Sequence, residues 1–373
     1  MADRGDVTTI VYVGTYTQTL PHVDGKAAGI YVYRLDRTSG ELHHLHTTEG
    51  VSNPSFVAVE PHHRYLFAVE EVGEYEGQPG GMVCGFVIDP RTYGLTPINR
   101  QRTQGAYPCY VSVDQSGRWL LVANHGGGSV SVLPISKGGV LGQVTSVIQH
   151  QGTPEHKQPA HPHSIIADPS NRFVLVADAG LDRIYVYQLD LEGGVLTPNA
   201  TPWLALRSGT GPRHLVFDPD GRYLYCINET ASSIGVFSYD VDQGILREIQ
   251  TVSSLPEGFA GRNAGADVHS DPTGRWLYGS NRGDDSIAIF IVDGATGTLQ
   301  ATGHRSTGGR IPRGFAIDPA GRLLLAANQN SDTVVTFWID PTSGGLTRGG
   351  GSTSIPTPVC LCIADFADMD AAR

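Results

Sequence analysis

Short apolar runs bounded by Asp, Pro and Gly repeat along this chain, and one stretch shows their grammar. His214-Leu-Val-Phe217 leads into the turn Asp218-Pro-Asp-Gly-Arg222, and Tyr223-Leu-Tyr-Cys-Ile227 follows it. The alternating run Ile234-Gly-Val-Phe-Ser-Tyr-Asp240 then passes through the turn Val241–Gly244 into Ile245–Val252. Such runs are too short for helices, and their turn residues favour reversal of the chain. They predict four antiparallel strands, A to D. The turn recurs at Asp114–Arg118, Asp168–Arg172, Asp271–Arg275 and Asp318–Arg322, with a looser copy at Glu60–Arg64. Its arginines are 54, 54, 50, 53 and 47 residues apart. A period of about 50 with short strands around each turn predicts the blades of an all-β propeller.

Six turns predict seven blades. The chain opens with a B-like run, Thr9–Val13, then a C-like run, Gly29–Asp36, and a D-like run, Glu41–Thr48, but no A strand precedes them. An A-like run without partners, Pro358–Asp365, closes the sequence. Joining the two ends predicts a clasp that closes the ring and removes the exposed sheet edges. The expected organisation is one seven-bladed domain over 1–373, its shared blade built from about 9–48 and 357–366.

Composition narrows the function classes. A chain of 373 residues would ordinarily divide into two or three domains, but a repeat fold of this length is one. The 47 glycines and 23 prolines suit a protein made of turns, and no amphipathic helix of three turns is evident. A net charge of −11 argues against a nucleic-acid surface. The N-terminal residues carry no apolar leader and no long apolar run follows, so the expectation is a soluble cytoplasmic protein, a monomer or weak homodimer without membrane contact. Cysteines 84, 109, 226, 360 and 362 lack CxxC spacing and lie mostly inside strands, which reads as buried thiols.

The long connections, 18–28, 72–81, 151–160 and 255–265, are all B–C or D–A loops, which leave an up-and-down blade on one face. The recurring Asp and Arg of the turns lie on the other face and read as turn caps and inter-blade ion pairs. On the long-loop face, strand B ends in Asn124-His125, Asp178, Asn228-Glu229, Asn281-Arg282 and Asn328. Strand A begins with His161-Pro-His163, Pro212-Arg213-His214, Asp267-Val-His269 and Pro312-Arg313. Strand A is innermost, so these starts surround the channel mouth. The repeated Asn or Asp suits a backbone-holding role, whereas His161, His163, Arg213, Glu229 and Arg282 break the repeat and are candidates for chemistry. The arginines can bind a carboxylate, a phosphate or an oxyanion, and Glu229 or His163 can activate water. No GxGxxG, P-loop, GxSxG elbow or metal-ligand spacing is present, so no cofactor and no metal are expected.

The chain resembles the seven-bladed propeller lactonases, a family that includes propeller-type bacterial 6-phosphogluconolactonases and fungal carboxy-cis,cis-muconate cyclases. The resemblance covers almost the whole chain. It rests on Tyr12-Val-Gly-Thr-Tyr16, Asn53-Pro-Ser55, Tyr107-Pro108, Leu121-Val-Ala-Asn124, His161-Pro-His-Ser164, Val176–Ile184, Gly211-Pro-Arg-His214, Asn228-Glu229 and Ser280-Asn-Arg-Gly283. It implies a catalytic set of His163, Arg213, Glu229 and Arg282. Around that set, His161, His125, Asn124, Asp178, Arg183, His214, Asn281 and Arg313 are expected to contact substrate. His125 stands where the family pattern suggests an aromatic such as Tyr. The implied activity is hydrolysis of an anionic sugar lactone, with 6-phospho-D-glucono-1,5-lactone of the pentose phosphate pathway foremost. A muconate-type cycloisomerase and a non-catalytic binding module are the alternatives.

Overall fold

Seven four-stranded antiparallel sheets follow one another around a ring in the computed structural model, which describes residues 7–152 and 158–367. Blade 5 shows the common pattern. Its strands are A, Pro212–Phe217; B, Tyr223–Asn228; C, Ser233–Asp240; and D, Ile245–Ser253. Blade 1 takes strand A from the far end of the chain. There Pro358–Ala367 pairs antiparallel with Val7–Thr15, and Thr9 Oγ1 donates to Asp365 at 2.8 Å. Among the described residues the single helical turn is the 3₁₀ segment Gln329–Ser331.

Apolar side chains meet between blades. Val11, Val13 and Leu361 of blade 1, for example, pack against Leu323, Leu325 and Ala327 of blade 7. This burial across every blade junction, near 25 cal/mol per Å² of apolar surface, drives ring closure. Polar latches fix its register. Tyr225 Oη donates to the Gly297 carbonyl of the next blade at 3.2 Å, and Tyr278 Oη donates to that of Gly344 at 2.9 Å.

The turn face follows the repeat. Asp114 Oδ1 accepts from the backbone N–H of Arg118 and of Trp119, both at 2.8 Å, and Asp318 treats Arg322 and Leu323 in the same way. The fourth turn position is left-handed, as at Gly221 (φ 68°), which glycine adopts without strain. Asn171 (φ 59°) and His63 (φ 57°) hold that conformation in the two turns that lack the glycine. Arg64, Arg172, Arg222 and Arg275 lie across the following aromatic, as Arg222 does over Tyr223 at 5.3 Å, and Arg172 also pairs with Asp242 of the next blade at 3.2 Å.

Strand A departs from a regular ladder on the opposite face. The register skips one residue between Pro108 and Tyr110, Pro162 and Ser164, Pro212 and His214, and Pro312 and Gly314. The bulged residues are Cys109, His163, Arg213 and Arg313. A bulge adds local twist and re-aims its side chain, and here it does so at the channel. The residue before the proline is left-handed at Tyr107, Gly211 and Ile311, which turns the chain into the bulge.

Candidate active site

A cavity of about 390 Å³ opens at this mouth, and every blade contributes to its wall. Blade 1 supplies Leu20, Pro21 and His22 from its B–C loop. Blade 2 supplies Glu71, blade 3 Cys109 and His125, blade 4 His163, blade 5 Glu229, blade 6 Arg282 and blade 7 Arg313. Of the long loops expected on this face, 18–28 reaches the cavity and contains the small hairpin Thr19–Leu20/Val23–Asp24. The loop at 151–160 lies partly outside the described residues.

Blades 5 to 7 form an ionic wall. Glu229, about one-third exposed, pairs with Arg282 Nη2 at 3.0 Å and with Arg213 Nε at 3.3 Å. Burial alone would raise its pKa, but the guanidiniums of Arg282, Arg213 and Arg313 outweigh that and hold the carboxyl at about 2. Arg213 is almost wholly buried and does not line the cavity. Its Nη1 donates to the Ala266 carbonyl and, at 3.2 Å, to His214 Nε2. Burial and the neighbouring Arg282 and Arg313 bring its pKa down to about 9, so it remains a cation at neutral pH. Arg282 Nη2 also donates to the Gly265 carbonyl at 3.2 Å. Arg313 lies over the Tyr16 ring at 5.6 Å and donates to its hydroxyl at 3.2 Å. The three guanidiniums outnumber the one firmly ionised carboxylate.

The opposite wall is made of groups whose pKa values are displaced toward the neutral form. His163 is buried, and burial together with Arg213, His214 and His125 drives its pKa well below the usual histidine value. Its Nδ1 lies 3.8 Å from the Cys109 thiol, and the His125 ring meets it edge-on at 5.3 Å. His125 is brought to about 4 by burial, then by His161. His161 stacks on it at 4.6 Å and donates Nδ1–H to its carbonyl at 3.0 Å. Burial also raises the Glu71 carboxyl against the opposing pull of Arg313.

The structure therefore brings His163, Glu229, Arg282, Arg313 and His125 into one cavity, with Arg213 behind Glu229 and His161 behind His125. It does not bring the other expected substrate contacts there. His214 is buried, with Nδ1 bonded to Asp267 at 2.8 Å. Asn124 donates to Ser129 and Ser131, Asn281 donates to the Ser254 carbonyl, and Asp178 accepts from the backbone of His161, Gly180 and Leu181. These three are the repeated position at the end of strand B, and all are fully buried in loop-holding bonds. Arg183 starts strand C of blade 4, where its guanidinium lies over Trp203 at 4.7 Å and donates to Tyr185 Oη at 3.1 Å. Sequence reasoning missed Glu71, Cys109 and His22. The Pro-x pair that opens four A strands would have flagged Cys109 beside His163, Arg213 and Arg313.

Among the described residues no group of three His, Cys, Asp or Glu is arranged to hold a metal. No helix there is long and apolar enough to cross a membrane, and all five cysteines are free thiols.

Comparison with known proteins places these observations in a lineage. A family model described as a seven-bladed β-propeller lactonase matches residues 10–363. The chain is 35% identical over 354 residues to a 6-phosphogluconolactonase of Bacillus subtilis (strain 168), covering 94% of this chain and 97% of that protein. It is 31% identical over 314 residues to a 6-phosphogluconolactonase of Formosa agariphila, covering 82% and 86% of the two chains. The structure superposes on the periplasmic gluconolactonase of Pseudomonas aeruginosa with a TM-score of 0.88 at 34% identity, covering 97% of this chain and all of that one.

Proposed function

The chain belongs to the lactonase family of seven-bladed β-propellers, and on that premise we propose that it hydrolyses a phosphorylated sugar lactone, 6-phospho-D-glucono-1,5-lactone, to 6-phospho-D-gluconate. The observation that carries this reading is the cationic surplus of the cavity, where Arg282 and Arg313 line a wall that holds a single firmly ionised carboxylate. A phosphate needs that surplus, and planar guanidiniums match its geometry.

Water adds to the lactone carbonyl, and the oxyanion that develops is stabilised by a guanidinium already in place before reaction. Arg213, ion-paired with Glu229 and hydrogen-bonded to Ala266 and His214, holds this ionic wall from behind. The two cavity-lining arginines divide the direct work, Arg282 beside Glu229 on the phosphate and Arg313 on the oxyanion. His163 takes the proton from water. No ion pair ties up its imidazole among the described residues, whereas both carboxylate oxygens of Glu229 are engaged by guanidiniums. The five free thiols suit a reducing compartment and support a cytoplasmic site of action.

Freshly prepared phospholactone and purified protein in a pH-stat provide the test. Acid release well above spontaneous hydrolysis is expected, and a rate equal to the blank would sink the assignment.

A further inference from the structure

Glu71 is the second carboxyl group in the cavity wall, and its surroundings are the opposite of those of Glu229. It follows strand B of blade 2 (Tyr65–Glu70) and is 6% exposed. No arginine pairs with it among the described residues. Instead both of its close donors converge on one oxygen. Tyr16 Oη donates to Oε2 at 2.8 Å, and Ser55 Oγ donates to the same atom. Tyr16 is itself fully buried and accepts from Arg313; Glu71 at 2.8 Å is nearer to its hydroxyl than His22 Nε2 at 3.3 Å. Among the described residues Oε1 has no hydrogen-bond partner, and Glu71 lines the cavity, so Oε1 is the oxygen it presents there.

We propose that Glu71 is a further catalytic residue of the lactonase reaction, a carboxylic acid whose Oε1 proton passes to the ring oxygen as the lactone opens. The inference rests on the hydrolytic reading above and completes its proton balance. Water oxygen bonds to the carbonyl carbon while its proton moves to His163, and the carbonyl electron pair moves to oxygen. Collapse restores the carbonyl and breaks the bond from that carbon to the ring oxygen. The electron pair left on the ring oxygen takes the Glu71 proton and becomes a hydroxyl group. The new carboxylic acid ionises, and the proton held by His163 returns to Glu71, so lactone and water give carboxylate and one proton.

An aliphatic alkoxide is a poor leaving group, so protonation at departure matters, and it requires an acid that still holds its proton near the working pH. Two carboxyl groups pushed apart by their environments commonly divide such work. Desolvation raises Glu71, while Arg313, Ser55, Tyr16 and Arg213 pull it back; Cys109 and His22 are the other titratable groups close to this network.

The test is kcat and KM across pH for the wild type, Glu71→Gln, Tyr16→Phe and Ser55→Ala, with spontaneous hydrolysis subtracted. Wild-type kcat should fall as pH rises through the Glu71 pKa. Glu71→Gln should lower kcat by about 10² to 10³ and abolish that alkaline limb, with KM changed less than about threefold. Tyr16→Phe and Ser55→Ala each remove a bond to the carboxylate and should move the limb to higher pH. Infrared spectra should show the C=O stretch of a protonated acid at mildly acidic pH in the wild type and its loss in Glu71→Gln. A Glu71→Gln enzyme with wild-type kcat and an unchanged limb overturns the proposal, as does absence of the protonated band. A fall in kcat that leaves the limb in place means a structural role and also overturns it. A wild type that hydrolyses no sugar lactone fails the reading itself, a different outcome.

Discussion

The two walls of the cavity use similar residue types in opposite electrical states. Blades 5 to 7 present Glu229, Arg282 and Arg313 as charges, with Arg213 packed behind them. Blades 2 to 4 present Glu71, His125 and His163, whose pKa values are all displaced toward the neutral form. Burial is common to both walls, so burial alone does not decide. The difference is the partner. Guanidiniums at 3.0 and 3.3 Å keep Glu229 ionised, whereas among the described residues Glu71 is bonded only to hydroxyl donors, and the pull of the unpaired Arg313 does not overcome its desolvation. A wall of fixed charge suits holding an anion. A wall of groups displaced toward the neutral form suits moving protons.

The strongest way to break this contrast is to neutralise Glu229. Glu229→Gln leaves Arg213 and Arg282 facing each other without a counter-charge. We expect kcat/KM to fall by about 10³ and stability by about 2 kcal/mol, below the full cost of breaking a buried pair because Glu229 is one-third exposed. Steady-state kinetics and urea unfolding check both. An active, equally stable variant would mean that the pairs carry no weight.

The ionic wall divides further with a two-by-two assay of Arg282→Ala and Arg313→Ala on gluconolactone and its 6-phosphate. Loss of the phosphate anchor should raise KM for the phosphorylated lactone about 30-fold and leave the plain lactone nearly unchanged. Loss of the oxyanion donor should lower kcat on both by about 10². Equal losses on both substrates from both variants would place the phosphate contact elsewhere.

Acid titration probes a neutral group packed behind the ionic wall. His214, buried behind the cavity, is brought to about 4 by burial and then by Arg213, against a usual value of 6.5. Its unfolded form therefore binds more protons between those values. The sign follows: its contribution to stability is complete above pH 6.5 and is lost as pH falls toward 4. A shift of that size corresponds to about 3 kcal/mol, and His163 adds to the same trend. Urea midpoints measured from pH 7 to pH 4 should fall steadily, and His214→Asn should flatten the slope.

Much of this arrangement is legible in the sequence, for a physical reason. A repeat fold states its structural requirements about seven times, so Asp114, Asp168 and Asp318 identify one another as turn caps. Arg282, Glu229 and His163 stand out because their blade mates lack them. The same logic warns against Asn124, Asp178 and Asn281, whose shared position implies the loop-holding bonds they make. Glu71 was illegible because it adjoins Glu70, which ends strand B and pairs with Arg100 at 2.6 Å. Two adjacent glutamates give no local sign of which one faces the channel. Arg183 misled in the other direction, since its position beside a loop says nothing about Trp203 drawing the guanidinium away from the mouth.

The smallest expected effect belongs to His125, and it sharpens the contrast from within the neutral wall. A neutral group there is not thereby a proton carrier. His125 lies between His161, stacked at 4.6 Å, and the edge of His163 at 5.3 Å, and it titrates only near pH 4. At neutral pH it offers a flat surface and almost no cation. His125→Tyr keeps an aromatic face against His161 and removes the imidazole. If His125 is only wall, kcat should stay within about twofold and KM within about threefold, with the pH profile unchanged. A kcat loss above tenfold with a displaced acid limb would make His125 a proton carrier beside His163. The neutral wall would then hold two working imidazoles rather than one.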